Sequence, residues 1–225
     1  MTKKLPHTKD TSLTSRPRKI RDTLLVCTIA LFSLVLTACA STQGSKPLSS
    51  ALINSPRIYQ EAVQINGRIS VQYHQNEQDQ NMTVDFEWLQ EKDKLEITLS
   101  TPLGQTVAQI KQDTQGASLE QAKQETLRAT DIEQLLSDNL GWTLPVSGLK
   151  TWLQGFDLPS KGSTLAATIP NPIPARENAH LQSQGWDVRF VSWQEIGGRI
   201  SPKRIDLNRS TQELGEVKIR ITISE

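Results

Sequence analysis

From residue 65 onward, apolar and polar residues alternate in one short run after another. Ile65, Gly67, Ile69, Val71 and Tyr73 share one parity, against Gln64, Asn66, Arg68, Ser70, Gln72 and His74. After a polar turn expected over 75–80, Met82, Val84, Phe86 and Trp88 alternate with Thr83, Asp85 and Glu87. Leu95, Ile97 and Leu99 then alternate with Glu96, Thr98 and Ser100. Successive strand residues point to opposite faces, so each run has one apolar and one polar face. That pattern predicts an antiparallel sheet with one side wet. Weaker strands of the same meander are expected at 106–111 and 117–121. Others follow at 163–169, 179–183, 186–193, 203–208 and 216–224, the last with Val217, Ile219, Ile221 and Ile223 on one parity.

The period changes at Thr130. Thr130, Asp131, Ile132 and Glu133 have the form of a capping box, in which Thr and Glu satisfy the free amides of a helix start. Ile132, Leu135, Leu136 and Leu140 follow at helical spacing, and Gly141 closes the run. Leu149, Trp152 and Leu153 predict a second short helix, with Pro145 at its start and Gly155 at its end. A further short helix is expected at 57–63, and a Pro-rich loop at 170–174. A curved sheet needs its apolar face covered, and the helices between 131 and 155 are the available cover. The fold expected is mainly β with a helical lid, a geometry that can leave an apolar hollow for a lipophilic ligand.

The N-terminal stretch is of another kind. Residues 1–22 carry seven basic and two acidic residues, and a mostly apolar run over 24–36 follows. That run is too short to span a bilayer, which takes roughly 20 apolar residues. A basic start, a short apolar stretch and then small residues is the layout of a secretory signal. Leu36, Thr37, Ala38 and Cys39 resemble a bacterial lipobox, whose cysteine takes a diacylglycerol after cleavage before it. The other cysteine, Cys27, lies inside the apolar run, so Cys39 would be left without a disulfide partner. Lipid on its sulfur removes the liability of a free thiol in an oxidising compartment. Multiple acyl chains hold a protein to a membrane stably. Ala40, rather than Asp, follows the cysteine, which favours the outer membrane. The chain therefore divides into a signal peptide (1–38), a lipidated cysteine with a Ser/Thr/Gly/Pro-rich tether (39–54) and one folded domain (55–225). Residues 39–225 hold 18 basic and 22 acidic residues, a net charge of −4. Nothing in that charge suggests nucleic-acid binding, which needs a basic face.

No catalytic constellation stands out. His74 and His180 fall on polar strand positions, no His spacing suggests zinc, and no phosphate loop or nucleophile elbow occurs. Asp85 and Glu87 share the polar face of one strand. No metal, cofactor or enzymatic activity is expected. The stretch 100–106 is distinctive: Pro102 and Gly104 force a turn between two strands, with Leu103 at its tip. Leu103 either folds back onto the core or stands exposed, where it can meet a lipid surface.

Several segments together resemble the LolB family of outer-membrane lipoproteins. They are the lipobox 36–39, Asn66-Gly67-Arg68-Ile69-Ser70, Phe86-Glu87-Trp88, Thr101-Pro102-Leu103-Gly104-Gln105 and the stretch from Leu144 to Gly155. The resemblance implies a half-open antiparallel β-barrel with helices over an apolar cavity. It implies acceptance of lipoproteins from the periplasmic carrier LolA, through their acyl chains, and insertion into the outer membrane from its periplasmic face. Leu103, flanked by Pro102 and Gly104, would act at insertion. Phe86, Trp88, Leu95, Ile97, Leu99, Trp186, Val188 and Phe190 either line the acyl cavity or pack the core. The partners implied are lipidated cargo, LolA and outer-membrane lipids, with no oligomer expected. The acidic domain would meet a basic rim on the carrier. Two other readings stay open: an outer-membrane lipoprotein that scaffolds an envelope complex, and a soluble carrier like LolA.

Overall fold

Backbone pairing gathers the alternating runs into one curved, wholly antiparallel sheet. In the computed structural model the residues described are 48, 53, 55–75, 78–140, 144–158, 170–211 and 215–224. The strands are β1 Val63–Gln75, β2 Gln78–Glu91, β3 Lys94–Ser100, β4 Thr106–Asp113, β5 Gly116–Gln121 and β6 Leu127–Ala129. The helices α1 Ile132–Leu140 and α2 Val146–Trp152 come next. β7 Phe156–Asp157 and β8 Asn171–Pro172 form a separate two-stranded pair. β9 Ala179–Ser183, β10 Trp186–Ile196, β11 Arg199–Thr211 and β12 Gly215–Ile223 complete the chain. The sheet order is β6-β5-β4-β3-β2-β1-β12-β11-β10-β9, so the first and last long strands meet at the centre while β6 and β9 remain open edges.

The expected parities hold through the centre of the sheet. Ile69, Val71, Val84, Phe86, Trp88, Leu95, Ile97 and Leu99 are buried, as are Val217, Ile219, Ile221 and Ile223. Ile132, Leu135, Leu136, Leu149 and Trp152 of the helices belong to the same buried cluster, so the helices close the apolar face. Gly67 lies on the inward parity because nothing larger fits: a Cβ there would sit 2.3 Å from Thr222 O and 2.7 Å from Phe86 Cε1.

Four expectations require correction. Residues 57–63 form no helix; 56–60 carry no regular structure and Val63 already opens β1. Tertiary contacts override helix propensity there, because the Arg57 guanidinium packs over the rings of Phe156 and Trp193. The turn expected over 75–80 is narrower, since Gln78, Asp79 and Gln80 pair with Gln75, His74 and Tyr73 in the ladder. The polar character of this hairpin reflects strands with solvated side chains. The cap of α1 is Asp131, not Thr130: its Oδ1 accepts from Gln134 N at 2.7 Å. Lastly, β6 and the β7–β8 pair carry no alternation long enough to read, yet they form. The expected strand at 163–169, the closing Gly141, the lipobox with Cys39 and most of the tether lie outside the described residues.

Candidate functional site

The hairpin between β3 and β4 is the sharpest local feature. Thr101 N donates to Gln105 O at 2.8 Å, Gly104 N to Thr101 O at 2.8 Å, and Gln105 N to Thr101 Oγ1 at 3.2 Å. Gly104 takes a φ of +84°, in the left-handed region that favours glycine. These bonds hold Pro102 and Leu103 at the tip, and Leu103 is 91% exposed. It does not fold back onto the core. A leucine displayed on a braced turn keeps its apolar surface in water, where burial against something else is favourable.

Two side-chain hydrogen bonds fasten the lid. Glu133 of α1 accepts from Ser147 N, at the start of α2, at 2.9 Å. The glutamate read as half of a capping box therefore ties the two helices together. Lys150 Nζ donates to Gln112 Oε1 of β4 at 2.9 Å. Burial lowers the Lys150 ammonium pKa, against the opposing pull of Glu133. Trp152 is fully buried and lies over Gly148, where a Cβ would come within 2.3 Å of its Cη2.

The eight residues expected to line an acyl cavity or pack the core come together in one interior. Phe86, Trp88, Leu95, Ile97, Leu99, Trp186, Val188 and Phe190 are all buried in the cluster that the helices cover. Phe190 stacks on Trp193 with ring centroids 5.5 Å apart. Trp193 turns inward only because register shifts in β10 around Ser192 break the alternation. A cavity of about 380 Å³ opens at one end of this interior, between residues 55–66, the β10–β11 turn and the end of β12, with Leu153, Ile200 and Ile223 of the same cluster on its wall. None of the eight residues lines it. The lining residues Arg57 and Ser201 were not singled out by sequence, and no periodicity or motif marks them. His74 and His180 sit exposed, each beside a carboxylate, with Nδ1 of His74 3.0 Å from Asp79 and Nε2 of His180 2.8 Å from Asp187. Among the described residues no group of three or more His, Cys, Asp or Glu side chains is placed to hold a metal, and no helix is long and apolar enough to cross a membrane.

An open antiparallel sheet, covered on its apolar face by two helices and presenting a braced apolar hairpin tip, defines a half-open β-barrel with a helical lid. The chain belongs to the outer-membrane lipoprotein LolB family, whose model, "Outer membrane lipoprotein LolB", matches residues 61–225. Membership makes it an outer-membrane component of lipoprotein transport and not an enzyme. It is 30% identical over 181 residues to the outer-membrane lipoprotein LolB of Cupriavidus pinatubonensis, covering 78% of this chain and 82% of that one. It is 32% identical over 179 residues to that of Ralstonia nicotianae, with 78% and 82% covered. Against that of Francisella tularensis subsp. tularensis it is 29% identical over 202 residues, with 87% and 92% covered. Among solved structures it is similar to a LolA superfamily protein from Nitrosomonas europaea, with a TM-score of 0.42, 12% identity, and 75% of this chain and 86% of that chain covered.

Proposed function

We propose that this protein accepts lipoproteins from the periplasmic carrier LolA by binding their acyl chains, and inserts them into the outer membrane. The chain is cut before Cys39, lipidated there and held on the periplasmic face by its own acyl chains; residues 40–54 act as the tether and 55–225 as one monomeric domain. The observation that carries the insertion step is Leu103, 91% exposed on a turn braced by three hydrogen bonds. In a LolB-family chain, that display supplies an apolar residue that enters or perturbs the bilayer surface.

Acyl chains do not linger in water, since each buried CH₂ is worth about 0.8 kcal/mol. Transfer therefore runs by contact between the carrier's cavity and this one, downhill in affinity. The interior around Phe86, Trp88, Leu95, Ile97, Leu99, Trp186, Val188 and Phe190 is the apolar volume available once the helices shift. The fastenings at Glu133 and Lys150 are the contacts that must loosen.

The test loads LolA with a lipoprotein and mixes it with liposomes and this protein, as wild type or Leu103→Glu. Wild type is expected to drive cargo into the liposomes, while Leu103→Glu takes cargo and strands it. If wild type takes no cargo from the carrier, a scaffolding lipoprotein is the better account. Free release of the protein from membranes, with Cys39 unlipidated, would instead favour a soluble carrier.

A further inference from the structure

The segment that leads into β1 is seated against the lid. Residues 56–60 carry no regular structure, so no strand ladder holds them. Side chains hold them instead. Gln60 N donates to Gln154 Oε1 at 3.0 Å, and Gln154 Nε2 donates back to Gln60 O at 3.1 Å. One amide, just past the end of α2, thus clamps both backbone groups of Gln60. The Tyr59 ring lies edge-on to Phe156, with 5.7 Å between centroids, and its hydroxyl reaches Lys150 O of α2 at 3.5 Å. The Arg57 guanidinium donates to Ile173 O and lies over Phe156 and Trp193. Gly155 leaves that seat open, since a Cβ there would come within 2.7 Å of Arg57 Nη1.

The same segment is bonded to the interior. Gln90, buried on β2, accepts from Trp88 Nε1 at 3.2 Å and donates to the Tyr59 hydroxyl at 2.7 Å. A chain of hydrogen bonds therefore runs from a buried indole, through Gln90 and Tyr59, to a carbonyl of α2. Arg57 and Gln60, together with Leu153 and Gln154, line the cavity at this end of the interior, so the clamp closes part of its wall. The Leu103 hairpin points to the other end of the strands, beyond Ser100, which is level with Asp85 and, through it, with Arg68.

Side-chain bonds and ring contacts can part without peeling a strand from the sheet. Each such bond shifts an opening equilibrium by about tenfold or less. Segments held this way open locally at a lower free energy than the core.

We propose that residues 57–60 form a releasable strap that latches the end of α2, and that its release opens the interior at the end away from Leu103. The part played by opening rests on the acyl-chain reading above; the latch itself does not.

The full chain, reconstituted in phosphatidylcholine liposomes, is followed by hydrogen exchange and mass spectrometry as wild type, Gln154→Leu, Tyr59→Phe and Ile58→Ser. Gln154→Leu removes both clamp bonds and should speed exchange over 146–156 by about tenfold, with the central strands at 63–72 and 217–223 unchanged. Tyr59→Phe keeps the ring against Phe156 and should give a smaller rise; it carries the test if Gln154→Leu does not fold. Ile58 is 76% exposed, and Ile58→Ser should exchange as wild type does. The same proteins are then given lipoprotein-loaded carrier, from which Gln154→Leu is expected to take cargo several-fold faster than wild type. If no protein takes cargo but exchange behaves as stated, the latch stands and the acyl-chain reading fails. Exchange unchanged over 146–156, or raised equally in the central strands, would overturn the proposal, as would cargo taken no faster once the strap is loose.

Discussion

At the scale of single residues, the two most telling side chains have opposite surroundings. Leu103 touches nothing in the core, so Leu103→Glu should shift stability by no more than about 0.5 kcal/mol while abolishing insertion. Urea unfolding beside the liposome assay separates the two effects. Gly148 is the reverse case. In an ordinary helix, Gly→Ala stabilises by about 1 kcal/mol. Here the new Cβ would meet Trp152, whose ring is fully buried and has no room to swing away. Gly148→Ala should therefore destabilise by about 1–3 kcal/mol, the range for an overpacked core. A variant at least as stable as wild type would show that the lid adjusts freely at this point.

Among elements, the wet face of the central strands is held by ladders of charge across the sheet. Arg68 Nε lies 2.6 Å from Asp85 Oδ1 between β1 and β2. Asp206 on β11 meets Arg204 Nη2 at 2.6 Å and Arg220 Nε of β12 at 3.3 Å. Burial alone would raise the Asp206 carboxyl, but the two arginines outweigh it and hold it below the ordinary carboxylate range. A lowered carboxylate contributes stability that is fully present above the ordinary value, near pH 4, and is lost as pH falls through the lowered one. The group is half-buried and its arginine partners reach solvent, so screening limits its share to about 0.2–1 kcal/mol. Asp206→Asn should lower the unfolding free energy at pH 7 by that amount and flatten its decline in acid. An acid limb as steep as wild type would assign the pH dependence to other carboxylates. The helices, in turn, are fixed less by their own propensity than by Asp131 at the start of α1 and by Glu133 reaching across to α2.

For the molecule as a whole, the net charge of −4 over residues 39–225 bears on how it meets a partner. Electrostatic matching acts mainly on encounter rate, and the screening length is only about 10 Å at 0.1 M salt. Association with the carrier, followed by stopped-flow fluorescence, should slow as salt rises. A flat dependence would remove charge from the account. Much of the architecture was legible because period-two alternation and helical spacing are local properties of the chain: the strand parities, the two lid helices and the Pro102–Gly104 turn all follow from neighbours in sequence. Local pattern also placed Leu103 at a loop tip, but whether it would bury or stand free depended on what the rest of the fold put beneath it. Arg57 was read as part of a helix because its ring partners, Phe156 and Trp193, lie about a hundred residues or more away. The cavity carries no local signal either, since its lining exists only after the β10–β11 turn is set beside residues 55–66. Sequence alone determined a one-sided antiparallel sheet, its helical cover and the turn that carries Leu103, because each is encoded within a few residues. Tertiary structure alone decided the inward turn of Trp193, the Glu133–Ser147 tie and the packing of Arg57 over Phe156 and Trp193, because each is a meeting of segments that no local pattern relates.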